Sequence, residues 1–150
     1  QQFDNKLRQG ISNLKSDVNK AKKQLTKYMK QMGVEKSFAK YKDRRFGMQQ
    51  FLTSRDVGTL SRYQRVMLAE RVNQLEYSRE CLKAARAKHK ALQKLTTTLS
   101  DQDQELQNVP ADDLQGLTSA QRKVNRTVRR LHDLIQLPFS SYWMRDSSRV

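Results

Sequence analysis

Residues 7–32 read LRQGISNLKSDVNKAKKQLTKYMKQM, and their apolar positions recur every seven residues along two lines. Ile11, Val18, Leu25 and Met32 form one, and Leu7, Leu14, Ala21 and Tyr28 form the other. A two-position seam is narrower than the apolar face of an ordinary globular helix, and a repeat of 3.5 residues keeps it turned toward a partner helix along its length. Asp4 is a suitable N-cap, and Gly33 suits the left-handed residue that closes a helix. The first helix is therefore expected over residues 4–32.

Working outward, the next segment loses the heptad. From Val34 to Asp56, Phe38, Tyr41, Phe46 and Phe51 are interleaved with Lys36, Lys40, Lys42, Arg44, Arg45 and Arg55. Aromatics beside cations can stack on unpaired bases while the cations hold phosphates. Helical spacing favours the plainer reading, in which Phe38, Tyr41, Phe51 and Leu52 plug one end of a bundle where the chain reverses. Residues 36–55 are thus a short helical and aromatic connection, leading to a helix start at Thr59 or Ser61.

A second long helix is expected over residues 60–99. Leu60, Tyr63, Val66 and Met67 open it. Its seam follows as Leu75, Leu82, His89 and Thr96, alternating with Ser78, Ala85, Leu92 and Leu99. Small residues at Ser78, Ala84 and Ala85 would allow close approach of the first helix, with Tyr28 or Met29 filling the space. Residues 100–118 hold Asp101, Asp103, Glu105, Asp112 and Asp113, and no Lys or Arg occurs between Leu95 and Gln121. They read as an acidic hinge broken at Val109-Pro110, with Pro110 opening a turn that ends at Gly116. Such a segment could fold back on a basic stripe and mask it. A calcium loop is rejected, since Leu106 stands where its sharp turn requires Gly and Asp112 where it requires Glu. A third helix follows over residues 119–136, capped by Thr118 or Ser119, with an apolar stripe of Val124, Val128, Leu131 and Ile135. The tail, residues 137–150, joins Phe139, Tyr142, Trp143 and Met144 to a polar end. It is expected to lie back on the bundle, or else to anchor a partner groove or a membrane interface.

The fold class that results is all-α: an elongated antiparallel helical hairpin or three-helix coiled-coil-like bundle in one domain of 150 residues. The composition agrees. Only 36% of residues are hydrophobic and 7% aromatic, which suits a thin bundle better than a thick globular core.

Charge carries the functional signal. Thirty Lys and Arg face fifteen Asp and Glu, a formal net charge of +15, and self-repulsion of that size points to a polyanionic partner. On the first helix, Lys15, Lys20, Lys22, Lys23, Lys27 and Lys30 fall away from the seam, and only Asp17 interrupts them. On the second, Arg79, Lys83, Arg86, Lys90 and Lys94 are spaced three or four apart, hence on one side. On the third, Arg122, Lys123, Arg126, Arg129 and Arg130 make the basic side, and a guanidinium fork matches phosphate geometry. The residues expected to hold a polyanion are Lys22, Lys23, Lys27, Arg44, Arg45, Arg86, Lys90, Arg126, Arg129 and Arg130. The helix-pairing seam is expected at Leu7, Ile11, Leu14, Val18, Leu25, Tyr28, Leu75, Leu82, Leu92 and Leu99.

Nothing in the chain suggests catalysis. It has no nucleophile elbow, phosphate-binding glycine loop, HExxH or dinucleotide fingerprint, and Cys81 is two helical turns from His89. No cofactor or metal is expected, because His89 has Leu92 and Gln93 where a second ligand would stand. One cysteine excludes an intrachain disulfide and suits a reducing compartment, cytoplasm or nucleus. No apolar run approaches the roughly 20 residues that span a bilayer. The start, Gln1-Gln2-Phe3, is that of a fragment or a processed product. The favoured function is a non-enzymatic basic helical binding or assembly subunit that contacts nucleic acid through phosphates, largely independent of sequence. The alternatives are a peripheral module on anionic membranes, or a coiled-coil component of a secretion, motility or viral assembly that pairs with partner helices or itself.

Overall fold

The computed structural model describes residues 2–136, and among them it holds six helices and no strand. These are α1 (Gln2–Met32), α2 (Glu35–Ala39), α3 (Gly47–Leu52), α4 (Arg55–Gly58), α5 (Arg62–Asn108) and α6 (Leu114–Gln136). The protein is an all-α helical bundle. Two compact units divide it: Ser12–Leu82, and Gln1–Ile11 together with Lys83–Val150. The aromatic tail, residues 137–150, lies outside the described residues.

In the 12–82 unit, α1 ends where its sequence says it should. Gly33 adopts a φ of 73°. Its N–H donates to the Lys30 carbonyl at 3.2 Å, and the Val34 N–H donates to the Met29 carbonyl at 3.0 Å. That pair of bonds is a Schellman closure, and Val34 and Met29 supply the apolar contact that accompanies it, both within the core cluster. The core gathers Ala21, Leu25 and Met29 of α1, Val34, Phe51 of α3, Val57 of α4, and Leu68, Val72 and Leu75 of α5. Helices as short as α2, α3 and α4 are unstable alone; here each is held by an apolar residue set into or against that cluster. Phe51 is fully buried. The Phe38 ring meets it edge-on at 5.1 Å between centroids, and Tyr41 lies 6.4 Å away. The aromatic plug at Phe38, Tyr41, Phe51 and Leu52 is therefore present. Phe46 is the exception: it is 68% exposed with a left-handed φ of 58°, a conformation that costs a residue with a Cβ about 1–2 kcal/mol.

Ser61 starts α5 through a reciprocal cap. Its N–H donates to Gln64 Oε1 and its hydroxyl accepts from the Gln64 N–H, both at 3.1 Å. The apolar face begins later than expected. Tyr63 is 72% exposed and Val66 is exposed too, so burial starts with Leu68.

The heptad seam is followed only in part. Leu7, Leu14, Ala21 and Leu25 are buried, but Met29 takes the next inner place while Ile11, Val18, Tyr28 and Met32 are half-buried. An α-helix at 3.6 residues per turn drifts by about 20° per heptad unless it supercoils, and over three heptads that rotation moves Tyr28 to the edge and Met29 inward. On α5, Leu75, Leu82, Ala85 and Leu92 are buried, Leu99 and His89 half-buried, and Thr96 and Ala84 exposed. Ala84 is thus no close-approach site.

The other unit corrects the expected boundaries. The second helix does not stop at Leu99 but continues through the acidic residues to Asn108. Ser100 to Asn108 contains no Gly or Pro, and its Gln, Asp and Glu tolerate a helix, so nothing ends it before Val109-Pro110. The hinge shrinks from residues 100–118 to 109–113. The third helix begins at Leu114 and not at Ser119, because Asp113 is the cap: its Oδ1 accepts from the Gly116 N–H at 3.0 Å. Gly116 therefore lies within α6 and ends no turn.

Helix α6 returns antiparallel along α5. Lys123 Nζ reaches Glu105 Oε1 at 3.3 Å, and the Thr127 hydroxyl donates to Gln102 Oε1 at 2.6 Å, so later residues of α6 meet earlier residues of α5. The unit buries Leu7, Ala85, Leu92, Ala120, Val124 and Thr127. Of the apolar stripe expected on α6, Val124 is buried and Leu131 half-buried, whereas Val128 and Ile135 are exposed. Thr127 takes an inner place that reading by hydrophobicity would not give it.

Candidate polyanion-binding surface

The helices position cations by the geometry that buries their opposite faces. On α1, Leu25 and Met29 point into the 12–82 core, which leaves Lys23, Lys27 and Lys30 on the far side and Lys22 nearer the flank, all exposed. Arg44 and Arg45 stand in the turn between α2 and α3. Their guanidinium carbons lie 5.2 Å from the Tyr41 ring centre and 5.0 Å from that of Phe46, within cation–π range. The turn is tight. The Arg44 N–H donates to the Tyr41 carbonyl at 3.0 Å and the Gly47 N–H to the Arg44 carbonyl at 2.9 Å, and a Cβ on Gly47 would overlap the Tyr41 carbonyl oxygen. Arg71 is different: half-buried, it covers Tyr28 at 4.3 Å and donates to the Met67 carbonyl, so it is spent on the fold.

In the second unit, Arg86 and Lys90 share the outer side of α5 with Lys83 and Lys94, all exposed. On α6, Arg126 and Arg129 share the side opposite Val124 with Arg122. Arg130, at about 100° per residue, sits on the flank with Lys123. All five are exposed. Lys88 does not belong to the α5 stripe. It lies on the inner edge of the helix, half-buried, and burial lowers its pKa below the ordinary 10.5.

The ten cations expected to hold a polyanion are thus all at the surface, and among the described residues none of them has an ion-pair partner. Arg8 pairs with Asp4 at 2.9 Å and Lys123 with Glu105 at 3.3 Å, and the His89 ring hydrogen-bonds Asp4 at 3.0 Å. Masking of the basic faces by the acidic segment therefore extends, in this structure, to Lys123. His89 serves as a structural histidine between Asp4 and the seam. Among the described residues no three His, Cys, Asp or Glu side chains come together as a metal site would need, and no helix is long and apolar enough to cross a membrane.

One cleft, of about 850 Å³, opens within the second unit between Asp4, Asn5 and Arg8 of α1, Leu92, Gln93, Thr96 and Thr97 of α5, and Leu131 and Ile135 of α6. Its charged groups, Asp4 and Arg8, already bond each other.

Sequence reasoning left Phe46 out of the aromatic plug but gave it no place of its own. A signal was available: Phe46 lies five residues from Tyr41 and five from Phe51, off the three- and four-residue spacing that turns apolar residues to one face.

Comparison of the chain with family models, curated proteins and solved structures finds no match. Function must therefore be argued from charge and geometry.

Proposed function

We propose that this protein is a non-catalytic binding or assembly subunit that contacts nucleic acid through phosphates, largely without regard to sequence. One observation carries the reading: among the described residues, ten surface Lys and Arg side chains stand free of a carboxylate partner in a chain of net charge +15. Such cations gain little from the fold itself, and their gain on meeting phosphates comes from releasing the counterions condensed on the strand. Lys22, Lys23, Lys27, Arg44 and Arg45 would serve in one unit, and Arg86, Lys90, Arg126, Arg129 and Arg130 in the other.

Fluorescence anisotropy with labelled single strand and duplex tests this. Affinity should fall steeply as salt rises, with little difference between sequences. Binding that is flat with salt, or absent at low salt, rejects it. The exposed Phe46 beside Arg45 also supports a second reading, a peripheral module on anionic lipid, since an aromatic at the headgroup level with cations around it is a membrane-surface device. Sedimentation with anionic and with neutral vesicles separates the two.

A further inference from the structure

Four cations, Lys40, Lys42, Arg44 and Arg45, and one carboxylate, Asp43, crowd the turn that leads to Phe46. All are exposed, and none is ion-paired to another described residue. Phe46 shares this setting but none of the fate of its neighbours. Phe38, Tyr41 and Phe51 pack into or against the core, while Phe46 projects to solvent from a backbone conformation that disfavours any residue with a Cβ. Folding alone gives no reason for a phenyl ring there, since a glycine would suit the φ of 58° better. Nor is the turn loosely held: Tyr41 is anchored on Phe51, and Gly47 permits the backbone to close against the Tyr41 carbonyl. The ring is therefore presented from a fixed base, with the Arg45 guanidinium near it.

From this we infer that Phe46 is a stacking platform for an unpaired base, with Arg44, Arg45, Lys40 and Lys42 holding the adjoining phosphates. The preferred partner is then single-stranded nucleic acid. The inference rests on the proposed phosphate-binding function and sharpens it, because a duplex keeps its bases stacked on one another and offers the ring nothing, whereas a single strand offers a π-face at every nucleotide. Charge complementarity favours this occupant over a neutral apolar one: a ring among four cations is poorly placed to meet an uncharged hydrophobic groove.

The test compares Phe46→Ala, Phe46→Leu, Phe46→Gly and Phe46→Trp in the full chain, titrating fluorescein-labelled oligothymidylate and a duplex of equal length. Ala, Leu and Gly should weaken single-strand binding about tenfold, with duplex affinity and its salt dependence unchanged, and Trp should retain binding. The Leu variant matters because it keeps the apolar bulk and removes the π-face. The Gly variant should leave the melting temperature unchanged or raise it, since it relieves the backbone while deleting the ligand contact. Equal losses on both strand forms, no loss on either, or a melting temperature lowered by Gly would overturn the inference and leave the phosphate-contact reading standing. A wild-type chain that binds neither strand form would remove that broader reading instead. Variants that lose affinity for anionic vesicles while keeping single-strand affinity would assign the ring to a lipid surface, again against the inference.

Discussion

In the 12–82 unit, nine buried apolar residues from four helices and one connector form a single cluster around Phe51. The unit built from α5 and α6 buries smaller groups, Ala85, Ala120, Val124 and Thr127 beside Leu7 and Leu92. Polar bonds stitch it together: Thr127 to Gln102, Lys123 to Glu105, and His89 to Asp4. The contrast follows from the residues available. Among the described residues, aromatic side chains concentrate between Val18 and Val72, whereas α6 places a threonine at an inner position and its Val128 and Ile135 outside. Burial is worth more per residue than a bond that replaces one made to water. The first unit should be the more stable part of the molecule.

The largest effects test that ranking. Phe51→Ala should cost about 3–5 kcal/mol, because it empties the centre of the cluster, while Leu92→Ala in the second unit should cost about 2 kcal/mol, near the lower end for such truncations. Urea unfolding of the two variants checks this, and a larger loss for Leu92→Ala would invert the comparison. Next come the stitches. Thr127→Val keeps the shape and removes a hydrogen bond of 2.6 Å, so a loss of about 1 kcal/mol is expected; a neutral result would show that the apolar contacts alone hold α6. Asp113→Ala should cost about 1 kcal/mol and speed amide exchange in the first turn of α6, whereas unchanged exchange there would mean that Asp113 does not cap.

The smallest effect concerns Lys88. Burial lowers its folded pKa, so the folded state sheds this proton before the unfolded state does. The unfolded state then binds more protons, and the Lys88 contribution to stability rises with pH between the lowered value and 10.5. Thermal melts across that window should rise less steeply for Lys88→Met than for the wild type. Parallel curves would contradict the assignment.

How much of this could be read beforehand varies along the chain. The C-terminal limit of α1 was legible because Gly33 is a strong terminator at the end of a periodic run, and the aromatic plug because Phe38, Tyr41 and Phe51 had few other places to go; the start was not, since α1 begins at Gln2 and Asp4, expected as its N-cap, lies inside the first turn and pairs with Arg8. The end of α5 was not. A cluster of acids suggests a hinge, yet Asp101, Asp103 and Glu105 sit on exposed helical positions where their charge meets water or, for Glu105, Lys123, and the chain breaks only at a true breaker, Pro110. Both Asp113 and Ser119 are good N-cap residues, and the preceding turn, with the Asp113 N–H bonded to the Pro110 carbonyl at 3.0 Å, decides between them. The exposure of the eight candidate cations on helices was readable from helix periodicity; that of Arg44 and Arg45, which stand in a turn, was not. Freedom from carboxylate partners was not, since that depends on where the acids fall in three dimensions.

The claim on which the functional account stands is that the surface cations meet phosphates. Its most direct test is the slope of log affinity against log salt for a single strand, measured on the wild type and on a chain carrying Arg126→Gln and Arg129→Gln. Each lost phosphate contact should flatten the slope by about 0.7, so the double variant is expected to be shallower by about twice that, with weaker binding at every salt concentration. An identical slope for the two proteins, or a wild-type affinity indifferent to salt, would contradict it.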